Sequence, residues 1–244
     1  MIPAIKAEFR KLVTVRSTYV ILAACLAIEM LFAFYATGYK ADAAALRDPL
    51  MLAGEVTTAV SALSVIIALI GVLLVTHEYR YNTILYTLTS AKRRSYVFLA
   101  KFLVIGVLAV VLSLLFGALS PVLVTLGVQL SGHSMVPQVI PYGDILWRIV
   151  FAGWCFSIFG FILAVIIRAQ LGAAISIFLI PTTLEPLLGL VLKSNHIYLP
   201  FAALSNVLEK GKLSYTHAAA VASIYVGVGL IISWVLFVRR DVNN

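Results

Sequence analysis

Charge is scarce in this sequence. Asp, Glu, Lys and Arg make up 11% of its residues, less than half of the roughly 25% usual in a soluble domain. Hydrophobic residues reach 62% and mean hydropathy is +1.06, a surplus that excludes a water-soluble globular fold. Cysteine is almost absent. Cys25 and Cys155 sit in apolar runs at unmatched depths, which predicts two free, buried thiols rather than a disulfide or a metal site. Catalytic signatures are missing too. The one Gly-Lys pair, Gly211-Lys212, is followed by Leu213, with Asn206 where a phosphate-cradling loop needs its first glycine. His77-Glu78 opens a zinc-protease-like string, but Tyr81 occupies the second histidine position. The histidines, at 77, 133, 196 and 217, lie at or beyond the ends of the apolar runs, so no base stands beside a buried nucleophile. The expectation is a protein without an active site of its own.

Long apolar runs are what the chain has instead. Crossing a hydrocarbon core takes about 20 apolar residues in helical form, and six stretches qualify: 18–37, 57–76, 98–121, 145–167, 170–192 and 217–238. They are continuously apolar, without the alternation of barrel strands, so they read as helices. The expected fold is an all-α integral membrane protein, one transmembrane domain over 1–244, with no internal repeat and no separate globular domain.

The net charge of +8 is distributed by side, which argues against nucleic acid as its target. Lys6, Arg10, Lys11, Arg16, Arg80, Lys92, Arg93, Arg94, Lys101, Arg168, Arg239 and Arg240 fall on one side of six alternating helices. Lys40, Arg47, Arg148, Lys193, Lys210 and Lys212 fall on the other. The bias places both termini in the cytoplasm. Residues 1–16 lack a cleavable-signal pattern, so the N-terminus is expected to be retained.

Residues 1–17 are expected to form a basic amphipathic helix in the cytoplasmic interface. Ile2, Ile5, Phe9, Leu12 and Val13 make a stripe, with Lys6, Arg10 and Lys11 off it. Pro121 is expected to kink or break the overlong third run, and Pro181 and Pro186 to weaken the outer half of the fifth. Phe201, Leu204 and Leu208 share a face in the external segment 193–216, which is expected to dip toward the membrane. Two acids stand inside apolar runs and are candidate pathway residues. Glu29 lies near the bilayer midplane, where either an interhelical hydrogen bond or a cavity or proton role would suit it. Glu185, near the outer interface, is expected to satisfy freed backbone groups or to meet water at a cavity mouth.

Between the second and third runs comes THEYRYNTILYTLTSAKRRS (76–95), the core of a hairpin over 77–97. Asn82 reads as the N-cap of a short helix in which Ile84, Leu85 and Leu88 form an apolar face. Thr89-Ser90 should end that helix, and Ser90 should cap the next. A plain connecting loop has no use for the apolar face; a cytoplasmic partner does.

This stretch resembles the signature of ABC-2-type transporter permeases, in which span 2 leads into a Glu…Thr…Leu…Arg…Lys pattern. Here the matching residues are Glu78, Thr83, Leu88, Arg93 or Arg94, and Lys101. A glycine commonly precedes the threonine, where this chain has Asn82. A proline is usual before the arginine, where it has Ala91. Chain length, six spans, cytoplasmic termini, the amphipathic N-terminal helix and the long segment after span 5 extend the resemblance to nearly the whole chain.

The resemblance implies a permease subunit of a bacterial ABC exporter in the cell membrane. Two copies, as a homodimer or heterodimer, would form the pathway, and a separate P-loop nucleotide-binding ATPase subunit would dock on the short coupling helix. ATP and Mg would reside on that partner, and this chain would bind no cofactor. Glu78, Arg80, Thr83, Ile84, Leu85, Leu88 and Arg93 are the expected docking element. Ile5, Phe9, Arg10 and Leu12 are the interfacial helix in contact with lipid. The cargo is expected to be hydrophobic or amphipathic, such as a drug, an antimicrobial peptide or a lipid-like molecule. Two other readings stay open: a proton-coupled secondary transporter using Glu29, and a non-transporting membrane assembly protein.

Overall fold

The computed structural model describes residues 2–14, 16–35, 49–90, 93–130, 132, 142–209, 211 and 213–240. Residues 36–48, residues 131–141 apart from Gly132, and Ala91 and Lys92 therefore lie outside the described residues, and with them the expectations made there, while 49–56, expected in the first outer loop, are already helical. Among the described residues every element is helical: α1 (Ile2–Thr14), α2 (Arg16–Phe34), α3 (Pro49–Arg80), α4 (Ile84–Ser90), α5 (Arg94–Leu130), α6 (Tyr142–Ile167) and α7 (Gln170–Leu179). A π-helical turn (Ile180–Leu184) joins α7 to α8 (Glu185–Leu192). A 3-10 segment (Lys193–Tyr198), α9 (Pro200–Leu208) and α10 (Tyr215–Arg239) complete the chain.

Five helical stretches are long and apolar enough to cross a bilayer, and the bent pair α1–α2, which turns through 63°, raises the number to six. The fold is all-α and membrane-embedded, as the apolar runs require. Pro121 does not break α5, which runs on for 37 residues. The ring removes the donor that would reach the Gly117 carbonyl, and the helix continues regardless, as membrane helices tolerate proline. Pro181 likewise bends the hydrogen-bond pattern into the π-helical turn rather than ending the helix.

α6 is the central post, packed on α3, α5, α7, α9 and α10. Lipid tails are as apolar as leucine, so close backbone approach rather than a hydrophobic drive holds such helices together. A Cβ added at Gly160 would stand 2.4 Å from the Ala68 carbonyl oxygen, and one at Gly71 would stand 2.7 Å from that of Ser157. Only glycine permits the α3–α6 contact at those points. Around it, Phe98 meets Phe161 and Phe237, and Phe201 meets Phe156 and Phe159, with centroids 5.1–5.7 Å apart. A second cluster packs Leu12 of α1 and Cys25 of α2 against Leu63, Ile67 and Ile70 of α3 and Val104, Leu112 and Phe116 of α5. Both cysteines are free and fully buried.

The external segment uses the face that the sequence marked: Phe201, Leu204 and Leu208 are buried. Their partners, however, are α6 and α10 of the chain's own body rather than lipid. The very tight turn between α6 and α7 is made at Arg168, whose φ of 58° is left-handed.

Candidate functional site

The hairpin after α3 is shaped first by backbone. The Thr83 amide bonds the Glu78 carbonyl at 2.9 Å and the Asn82 amide bonds that of Tyr79 at 3.3 Å, while Asn82 takes φ 53°. That is a Schellman ending, whose residue just past the helix must adopt a left-handed conformation; asparagine tolerates it better than other non-glycine residues. Asn82 therefore closes α3 and does not cap α4. Thr83 opens α4, its carbonyl accepting the Thr87 amide at 3.3 Å. Thr89 and Ser90 are the last two residues of α4, and the Thr89 hydroxyl bonds back to the Leu85 carbonyl at 2.9 Å.

The Schellman turn leaves Glu78 on the inner side of the corner, only 5% exposed. Its carboxylate forms an ion pair with Lys11 of α1 and lies 3.1 Å from Lys101 of α5. It also accepts the Thr87 hydroxyl of α4 at 3.3 Å. Glu8 of α1 is buried beside it and pairs with the same two ammonium groups, at 2.8 Å from Lys11 and 2.9 Å from Lys101. Two carboxylates and two ammoniums thus alternate in a neutral cluster joining α1, α3, α4 and α5. Lys101 is fully buried, and a charge at that depth is tolerable only when paired in this way. Burial works against the Lys11 ammonium, but its hydrogen bonds to Glu78 and Glu8 outweigh that and raise its pKa above the ordinary lysine value. A cavity of about 460 Å³ opens beside the cluster, between Leu12, Ile21 and Leu74 on the apolar side and Tyr81, Tyr86 and Thr87 on the other.

The apolar face of α4 divides in two. Ile84, 2% exposed, and Leu88 hold the helix to the body. Leu85, 42% exposed, lies on the outer side, and Tyr86, 77% exposed, stands at the rim of the cavity, with Tyr81, Thr83 and Arg80 alongside. So of the expected docking residues, Glu78 and Ile84 are internal and Leu88 is partly so; Arg80, Thr83, Leu85 and Arg93 are on the surface. Tyr86 joins them, though the sequence reading gave it no role. Arg80 lies over the Tyr81 ring at 5.6 Å and donates to Gln170 at the start of α7 at 3.1 Å. Arg94 donates to the Val238 and Arg240 carbonyls at 3.3 and 3.2 Å, and Arg240 to that of Ile166 at 3.1 Å. Helix ends that the charge bias placed on one side do meet at one end of the molecule.

On α1, the packed face runs through Glu8 and Leu12, while Phe9 and Arg10 are exposed and Ile5 is half-buried. The stripe read from the sequence is thus split, with Phe9 and Val13 outward and Leu12 and part of Ile5 packed inward, and the buried face also carries the ions of Glu8. Glu29 and Glu185 lie apart from this site. Glu29 is fully buried, and neither carboxyl oxygen has a hydrogen-bond partner among the described residues. Glu185 accepts the Phe201 and Ala202 amides at 2.8 and 2.7 Å. It supplies the cap that α9 lacks, since Leu199 precedes that helix and Pro200 opens it.

A family described as ABC-2 family transporter protein matches residues 4–183, about three-quarters of the chain, a range that holds α1, the ion cluster and α4. No curated protein matches the chain. With its apolar spans, the match makes the assignment plain: the chain belongs to the ABC-2 transporter family, as a multi-pass permease subunit of an ABC transporter and a transport component rather than a catalyst.

Proposed function

We propose that this permease is the membrane half of an ATP-driven exporter in the cell membrane, with both termini cytoplasmic. Two copies form the pathway. A separate P-loop ATPase, carrying the ATP and Mg, docks on the outward face of α4 through Leu85 and Tyr86, with Arg80, Thr83 and Arg93 at its edges. The observation that carries this reading is the division of α4: Ile84 and Leu88 fasten it to the body, and Leu85 and Tyr86 are exposed. Movement imposed on α4 passes through Thr87 to Glu78, and from there to Lys101 on α5 and Lys11 on α1. Glu78 is thereby a positioning residue, not a docking contact. The cargo is hydrophobic or amphipathic, in keeping with walls as apolar as these spans, and Glu29 is the pathway residue suited to a polar group on it.

The test is co-purification of the ATPase with the tagged permease, together with transport into inverted vesicles. Leu85→Asp should abolish both while leaving membrane insertion unchanged. If this variant still retains the ATPase and transports, α4 is not the docking element.

A further inference from the structure

A second concavity lies on the other side of α1. It encloses about 860 Å³ between Ile5, Phe9 and Val13 of α1, Leu22 of α2, and Val107 and Val111 of α5. We infer that this groove is a binding site for one anionic phospholipid of the leaflet beside α1, its acyl chains along α5 and its phosphate at Lys6. Three observations meet here. The groove is open along its side, with Phe9 59% and Val107 64% exposed, so the surrounding membrane fills it without a path through protein. Its α5 wall, from Leu103 to Val111, rises about 12 Å, close to the roughly 15 Å of hydrocarbon in one leaflet.

Its only charged lining residue among those described is Lys6, and nothing nearby on α1 or α5 opposes it. Glu8, the single acid of α1, is taken up by Lys11 and Lys101, and α5 carries no acid. Arg10, one turn on and also exposed, adds to the same field. A lipid seated there would brace α1 from the side opposite the ion cluster.

This inference rests on the membrane fold alone and not on the ATPase-docking reading, so it is tested without ATP. The purified full chain is stripped in detergent, supplied with phosphatidylglycerol or phosphatidylcholine, and examined by native mass spectrometry. Wild type should retain one phosphatidylglycerol in preference to phosphatidylcholine by about fivefold, the worth of one lysine near an anionic surface. Val107→Trp, at an exposed position, should fill the groove and lose the bound lipid. Lys6→Glu should abolish the preference between headgroups. Leu190→Trp, on an exposed face elsewhere, should bind as wild type does. Equal retention of the two lipids by wild type, or undiminished retention by Val107→Trp, would overturn the assignment.

Discussion

Glu78→Gln is the perturbation that probes the ion cluster most sharply, because it keeps shape and removes one charge. In the native arrangement the two carboxylates and two ammoniums balance, and Glu78 touches Lys11, Lys101 and Thr87. The amide leaves the buried Lys101 and the half-buried Lys11 sharing Glu8 alone, a net charge of one where there was none. Losing one partner of a buried pair costs about 3–5 kcal/mol. The lower end applies here because each ammonium keeps one carboxylate. At about 3 kcal/mol, a chain of this size should lose roughly 6–12 °C in its melting midpoint. Lys101→Met on its own leaves two carboxylates sharing Lys11 and should cost a similar amount. Combining the two restores neutrality around the Glu8–Lys11 pair, so the double variant should be more stable than the sum of the singles by at least about 1.5 kcal/mol. The assay is thermal unfolding of the detergent-purified protein in the four states of that cycle. A Glu78→Gln midpoint within 2 °C of wild type, or strictly additive singles, would refute the picture of one interlocked cluster.

Other outcomes follow from single contacts. Ile84→Ala, at a buried position, should cost about 2–4 kcal/mol and loosen α4, whereas Leu85→Ala should leave the midpoint within about 0.5 kcal/mol of wild type. Thermal melts of the pair separate the anchoring face from the free one. Glu185→Gln removes a charged acceptor from the Phe201 and Ala202 amides and should cost about 1–2 kcal/mol. Hydrogen exchange should show it as faster exchange confined to α9, with α3 and α6 unchanged. Gly160→Val should force α6 off α3, because its Cβ would fall 2.4 Å from the Ala68 carbonyl. A loss of about 3 kcal/mol, the upper end for overpacking, is expected, read as failure to purify as a monodisperse species.

The spans were legible because the bilayer imposes a length that composition alone satisfies. Each apolar run lies within or beside a helix, although α3 begins at Pro49, eight residues before its run, and α5 ends at Leu130, nine residues beyond its run. Where the sequence misled, tertiary context had changed the meaning of a local signal. Pro121 reads as a break in water, but here it lies inside one continuous helix of the kind that tolerates proline in a membrane. Asn82 carries the signature of a helix start, yet the same tolerance of unusual backbone conformations served the end of α3. The hairpin was recognised as special, but not which of its residues face in. Ile84, Leu85 and Leu88 share one apolar label, and only packing assigns them to different sides. Glu8 was invisible as a site residue because it lies seventy residues from Glu78 and beside ordinary lysines. One signal did point to it. Lys101 stands within FLAKFLVIG, and a lysine inside an apolar run calls for buried carboxylates; Glu8 and Glu78 are the two that answer.

The central claim is that the outward face of α4 meets an ATPase. The native cysteines are both buried, so a cysteine placed on α4 becomes the accessible thiol for site-directed cross-linking in native membranes. Tyr86→Cys and Leu85→Cys should cross-link to a P-loop ATPase subunit with a yield that changes when ATP is added, and Ile84→Cys should not cross-link. Absence of an adduct from both outward positions, or an equal yield from Ile84→Cys, would contradict it.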